Sequence, residues 1–176
     1  MKKFILIGIP GCGKSTLGKK MAHSLLLPFF DTDKLMLKII KLDSPTDIFR
    51  AAFQGQFINA QKKVMAKLAK NKKPAVISTG AEVALIPECA ALMKKMGTII
   101  HIQRDPDLAV ADMKKSRNNG FEWTLNGEPI DMRENGMKLY MKEYSQYEAL
   151  ADFKVENNGS EDEGLEKLLK LRMLSV

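Results

Sequence analysis

The sequence predicts an α/β domain built on a parallel sheet. The apolar runs Lys3–Gly8, Pro74–Ser78 and Thr98–Gln103 are short and continuous, as in strands buried on both faces. Helical segments alternate with these runs, which is the order of βαβ units. At 176 residues the chain has the length of a single domain, expected over 1–176. Hydrophobic residues make up 45% and charged residues 28%, values that exclude a disordered or fibrous protein. Two cysteines, Cys12 and Cys89, are too few for a disulfide framework or a metal quartet.

The elements follow in order. A helix over 14–27 succeeds the first strand, then a short extended piece, Pro28–Asp31, and a helix over 33–42. Ser44 is a candidate N-cap for a helix from about Pro45 to Lys70. After the 74–78 strand, residues 83–96 are predicted helical, with Gly97 as the stop signal. Asp105 at the N-cap and Pro106 at the first helical position open the next helix. The segment 116–130 is rich in turn residues and too long for an ordinary connection. A helix resumes over 131–149. Phe153–Glu156 is a weak strand, Asn157-Asn158-Gly159 a turn, and 161–173 an amphipathic helix.

The net charge is +7, from 28 basic against 21 acidic residues. The lysines are scattered in pairs and only five arginines occur, which argues against a groove-reading nucleic-acid binder. A basic surface suited to anionic ligands is the simpler reading. The first apolar run is too short for a signal segment, and no stretch approaches the roughly 20 apolar residues that span a bilayer. The expectation is a cytoplasmic protein with no membrane and no nucleic-acid partner.

Gly8-Ile-Pro-Gly-Cys-Gly-Lys14-Ser15 fits G-x-x-x-x-G-K-[ST], directly after a strand and opening a helix. Gly8, Gly11 and Gly13 let the backbone bend so that successive N–H groups face a phosphate. The helix adds its positive dipole end at the same place. Lys14 would reach the β/γ-phosphates and the Ser15 hydroxyl would coordinate Mg²⁺. Cys12 belongs to the loop, with its side chain expected to point away. Thr16 is expected to face the nucleotide. ATP or GTP with Mg²⁺ is the implied ligand.

The rest of the chain narrows the acceptor. A GTPase would need an Asp-x-x-Gly switch and an Asn-Lys-x-Asp base reader, and neither is present. The strand 74–78 runs into Ser78-Thr79-Gly80 rather than ending in an acidic residue, which points to a small kinase. Asp31 and Asp33 lie just past the second short strand, at the edge of a parallel sheet where ligands bind. Asp31 can hold the Mg²⁺ water shell, and Asp33 can take a proton from an attacking hydroxyl or orient it. Asp33 could instead cap the helix that follows.

The chain resembles the shikimate kinase family over nearly its whole length. The resemblance rests on residues 8–16, on Phe30-Asp-Thr-Asp33, on Asp47-Ile-Phe49 with Gly55-Gln56, on Ser78-Thr-Gly80, on Arg117 and on Tyr147-Glu-Ala-Leu-Ala-Asp152. It implies a three-layer P-loop kinase fold with five parallel strands in the order 2-3-1-4-5. It also implies a lid over about 112–128 and phosphorylation of a small cyclic alcohol, with shikimate or another small alcohol as acceptor, using ATP and Mg²⁺. Arg117 falls at the lid arginine that stabilises transferring charge. Gly80, Ala81 and Arg133 are expected at the acceptor with Asp33, and a monomer is the family default. Against the family pattern, Ala60 stands at one substrate arginine and Glu143 at the other, and Gly80-Ala81-Glu82 replaces a triple glycine. No arginine among Ala111 to Lys115 matches the family's adenine contact.

Overall fold

The computed structural model describes residues 3–40, 56–115, 124–125, 128–129, 141 and 144–172. Five parallel strands form the sheet: β1 (Lys3–Ile7), β2 (Phe29–Asp31), β3 (Val76–Ser78), β4 (Gly97–Gln103) and, last in the chain, β7 (Phe153–Glu156). Their order is β2-β3-β1-β4-β7, the 2-3-1-4-5 arrangement expected from the sequence. Two two-residue strands, β5 (Thr124–Leu125) and β6 (Glu128–Pro129), pair antiparallel inside the expected lid. The remaining residues of 116–130 lie outside the described residues.

β1 sits at the centre because it is apolar on both faces: Ile5, Leu6 and Ile7 are all fully buried. It pairs β3 through Phe4–Leu6 on one side and β4 through Lys3–Ile7 on the other. Such a strand must be covered on both sides. Helix α1 (Lys14–Leu25) packs with the last helix, α7 (Glu161–Arg172), while α3 (Gln56–Lys70) packs with α2 (Thr32–Ile40) and α4 (Pro87–Met96). The chain moves in opposite directions across the sheet after β1 and after β3. Right-handed crossovers therefore place these two helix groups on opposite faces. Two helices, α5 (Pro106–Lys115) and α6 (Tyr144–Leu150), stand on either side of 116–143 in the chain.

Two local expectations are corrected. Residues 83–96 are not one helix: a 3-10 turn spans Ala81–Leu85, Ile86 is extended, and α4 begins at Pro87. The proline ring disfavours the helical region for the residue before it, so the break falls at Ile86. Gly97 does follow the last residue of α4, as expected of a stop signal; its backbone is extended and it opens β4. A Cβ there would lie 2.1 Å from the Lys3 carbonyl oxygen, so glycine is needed for close strand approach. The helix cap at the second strand falls to Asp31 rather than Asp33. Asp31 Oδ1 accepts from the N–H groups of Asp33 (3.1 Å) and Lys34 (3.3 Å), the second and third positions of α2. The predicted cap Ser44, most of the predicted helix before Gln56 and most of 131–143 lie outside the described residues.

Candidate active site

The loop from Gly8 to Gly13 leaves β1 at the carboxyl edge of the sheet and opens α1. Gly8, Gly11 and Gly13 take φ of +142°, +74° and +94°, values that a side chain would strain. Lys14, at the first position of α1, is buried within this loop. Its Nζ donates to the carbonyls of Gly8 (2.9 Å) and Ile9 (2.7 Å) and lies 3.6 Å from Cys12 Sγ. Cys12 is fully buried, so its side chain turns into the loop beside Lys14 rather than away from it. Thr16 stands exposed on the first turn of α1.

Ser15 joins the loop to the acidic edge. Its Oγ donates to Asp31 Oδ2 at 2.9 Å and lies 3.0 Å from Ser78 Oγ. Asp31 thus works in two directions, with one oxygen on the α2 cap and the other on Ser15. From the sequence Ser78 is only the start of the Ser78-Thr-Gly80 motif, with no site role of its own. The strand order could have found it, because β3 lies between β1 and β2 and pairs Ser78 with both Leu6 and Asp31. Its last residue must then stand between Ser15 and Asp31.

Asp33 is two residues further on, against Gly80. A Cβ on Gly80 would lie 2.2 Å from Asp33 Oδ1, so glycine makes room for the carboxylate. The Gly80 N–H donates to Thr32 Oγ1 at 2.8 Å, which sets the wall beside it. Asp33 is an exposed residue whose carboxylate is partly desolvated where it meets Gly80. That desolvation, with the negative charge of Asp31 and the opposing pull of Lys14, and with Glu82 adding repulsion, pushes its carboxyl up to about 6. Ala81 is held from the far side, where the hydroxyl of buried Tyr147 on α6 donates to its carbonyl at 3.0 Å.

A basic loop, a hydroxyl–carboxylate pair and a raised carboxyl thus converge at one sheet edge. The family model for shikimate kinase matches residues 10–172. The chain belongs to the shikimate kinase family. It is an ATP-dependent small-molecule kinase. A shikimate kinase of Pelotomaculum thermopropionicum is 32% identical over 170 residues, covering 96% of this chain and 94% of the relative. Among solved structures, shikimate kinase from Aquifex aeolicus superposes with a TM-score of 0.76 at 25% identity, covering 99% of this chain and 98% of that one. The enzyme from Acinetobacter baumannii in complex with shikimate gives a TM-score of 0.84 at 20% identity, covering 99% and 94%. At that identity the last match speaks for the fold alone.

In this shikimate kinase family member the structure brings together Gly8, Gly11, Cys12, Gly13, Lys14, Ser15, Asp31, Asp33, Gly80 and Ala81. Arg117, Arg133, Arg50 and Glu143 lie outside the described residues. Ala60, where the resemblance expects an arginine, is buried on α3 at 3% exposure in the hydrophobic core. His101 is fully buried on β4, its ring centroid 4.9 Å from that of Tyr144 and 5.4 Å from that of Tyr147. Burial lowers its pKa to about 4, so it is neutral near pH 7. His23 is exposed on α1. Among the described residues no helix is long and apolar enough to cross a membrane.

Proposed function

We propose that the protein transfers the γ-phosphoryl group of ATP to a hydroxyl of shikimate, yielding ADP and shikimate 3-phosphate. The observation that carries this reading is the placement of Asp33. Its carboxyl lies against Gly80 on the same sheet edge as Ser15 and Lys14. A carboxyl raised to about 6 is ionised at neutral pH yet basic enough to share the proton of an attacking hydroxyl. Residues 8–16 cradle the phosphates, and Lys14 exchanges its contacts with the loop carbonyls for phosphate oxygens. Arg117 from the lid over about 112–128 neutralises charge on the transferring group, and Gly80, Ala81 and Arg133 border the acceptor. Lid closure excludes water.

The donor set fits Mg²⁺. Among the described residues no three His, Cys, Asp or Glu side chains gather as a metal cage. The hard oxygens of Ser15 and Asp31 are instead the type Mg²⁺ uses alongside phosphates and waters. When bound, Mg²⁺ neutralises the charge that develops on the phosphates. Ser15 Oγ and Asp31 would hold it, directly or through water.

One observation favours a second acceptor. Ala60 lies in the core of α3, so the family's guanidinium is missing from that position, and a carboxylate loses one bidentate partner. A different small alcohol is the reading this supports. The test is ADP release with ATP and Mg²⁺, with and without millimolar shikimate, against a Lys14→Ala control. Shikimate-dependent turnover that Lys14→Ala abolishes is expected. Intact ATP binding with no stimulation by shikimate would overturn shikimate as the acceptor and favour the second reading.

A further inference from the structure

We propose that Asn157 is a positioning residue of the nucleotide site: its side-chain amide fixes the Cys12–Gly13 peptide so that the Gly13 N–H faces the phosphate, and Arg104 holds Asn157 in turn. This rests on reading residues 8–15 as a phosphate cradle. Asn157 follows β7 directly and is buried, 6% exposed. Its Nδ2 donates to the Cys12 carbonyl at 2.9 Å, across 145 residues of sequence. A peptide unit is planar and trans, so its C=O and the next N–H point in opposite directions. Drawing the Cys12 carbonyl back onto Asn157 therefore turns the Gly13 N–H the other way, into the hollow of the loop. The peptide needs such a restraint, because Gly13 carries no Cβ to bias it.

The amide cannot be reversed in place. A carbonyl oxygen facing the Cys12 oxygen would be repelled. The side chain is also wedged between two glycines: a Cβ on Gly13 would lie 2.5 Å from Nδ2, and one on Gly164 would lie 2.6 Å from Oδ1. Asn157 Oδ1 is buried without a hydrogen-bond partner. Leaving that acceptor unpaired is a cost the fold accepts to aim a donor at the loop. An aspartate would present only acceptors, so the position calls for an amide.

Asn157 is itself fixed through both of its backbone groups. Its N–H donates to the Gln103 carbonyl at 2.8 Å, extending the β4–β7 ladder by one bond. Its carbonyl accepts from Arg104 Nη1, and Arg104 Nη2 pairs with Asp112 Oδ2 on α5 at 2.5 Å. The guanidinium therefore spans from the last strand to the helix that enters the lid.

The test measures ADP binding by calorimetry with Mg²⁺ and no acceptor, together with the ADP-induced change in the Gly13 amide NMR signal. Binding of ADP by the unaltered protein, measured first, separates failure of this proposal from failure of the ATP reading. Asn157→Ala is expected to weaken ADP by about tenfold, the worth of one well-aligned hydrogen bond, and to abolish the Gly13 response. Arg104→Met should weaken ADP in the same direction and less, with Arg104→Lys recovering part of the loss. A folded Asn157→Ala variant with ADP affinity within twofold of the parent and an intact Gly13 response overturns the proposal. Should the alanine variant not fold, Asn157→Ser and Arg104→Met decide by the same two readouts.

Discussion

The proposed nucleotide side and the proposed acceptor side of the site are built in different ways. On the nucleotide side the recognising groups belong to one short loop. Three glycines at positive φ bend it, Lys14 is held at its centre, and the first turn of α1 closes it. On the acceptor side each group comes from a different element: Asp33 from α2, Gly80 from the end of β3, and the Ala81 carbonyl held by Tyr147 on α6. A loop that carries its own chemistry can keep it while the surroundings change. A wall assembled from several elements changes chemistry whenever one of them changes. Ala60 fits this contrast: the resemblance expects a substrate arginine there, while residues 8–16 keep the family pattern.

The largest effect is expected at Lys14. Lys14→Ala removes the cation of the loop and should lower turnover by about 10²–10³, the cost of deleting one preorganised donor to a developing charge. ADP release in a coupled assay measures it. A loss under tenfold would break the claim that this loop supplies the charge stabilisation.

Gly80→Ala acts on the other side. Its new Cβ would lie 2.2 Å from Asp33 Oδ1, so the carboxylate must move. Displacement of a reacting group by about 1 Å can cost about 10²-fold, and a loss of that order in turnover is expected with nucleotide affinity unchanged. Equal loss of ADP binding, measured by calorimetry, would show that the two sides are not separable.

The smallest effect is a shift in pH dependence. Asp33 must be ionised to share a proton, so turnover should rise with pH through about 6 and fall as pH drops below it. Glu82 is one of the charges that raise this carboxyl. Glu82→Gln should therefore move the acid limb to lower pH, with the plateau rate little changed. An acid limb that stays in place would remove Glu82 from the electrostatics of the site.

What could be read from the sequence divides along similar lines. The phosphate loop was legible because backbone bending demands glycines at fixed offsets, and that demand survives in one dimension. The strands β1 and β4 were legible because burial on both faces leaves continuous apolar runs. Asp31 and Asp33 were both visible with the roles proposed for them, but not the cap that Asp31 adds. One oxygen of Asp31 serves the α2 cap and the other serves Ser15, which depends on how β2 and α1 meet. Ser78 was hidden in an apolar strand and needed the strand order to place it. Asn157 reaches Cys12 from 145 residues away, a contact no local pattern records. The helix break at Ile86 was signalled by Pro87, and the apolar periodicity across it obscured the signal.

The central claim is that the phosphate loop binds nucleotide while Asp33 serves the acceptor. Asp33→Asn, with ADP affinity and acceptor-dependent turnover measured on the same preparation, tests it most directly. The account predicts ADP affinity within about twofold of the parent and turnover lower by about 10²–10⁴, the range for loss of a general base. Turnover that survives the substitution, or affinity and turnover that fall together, would contradict it.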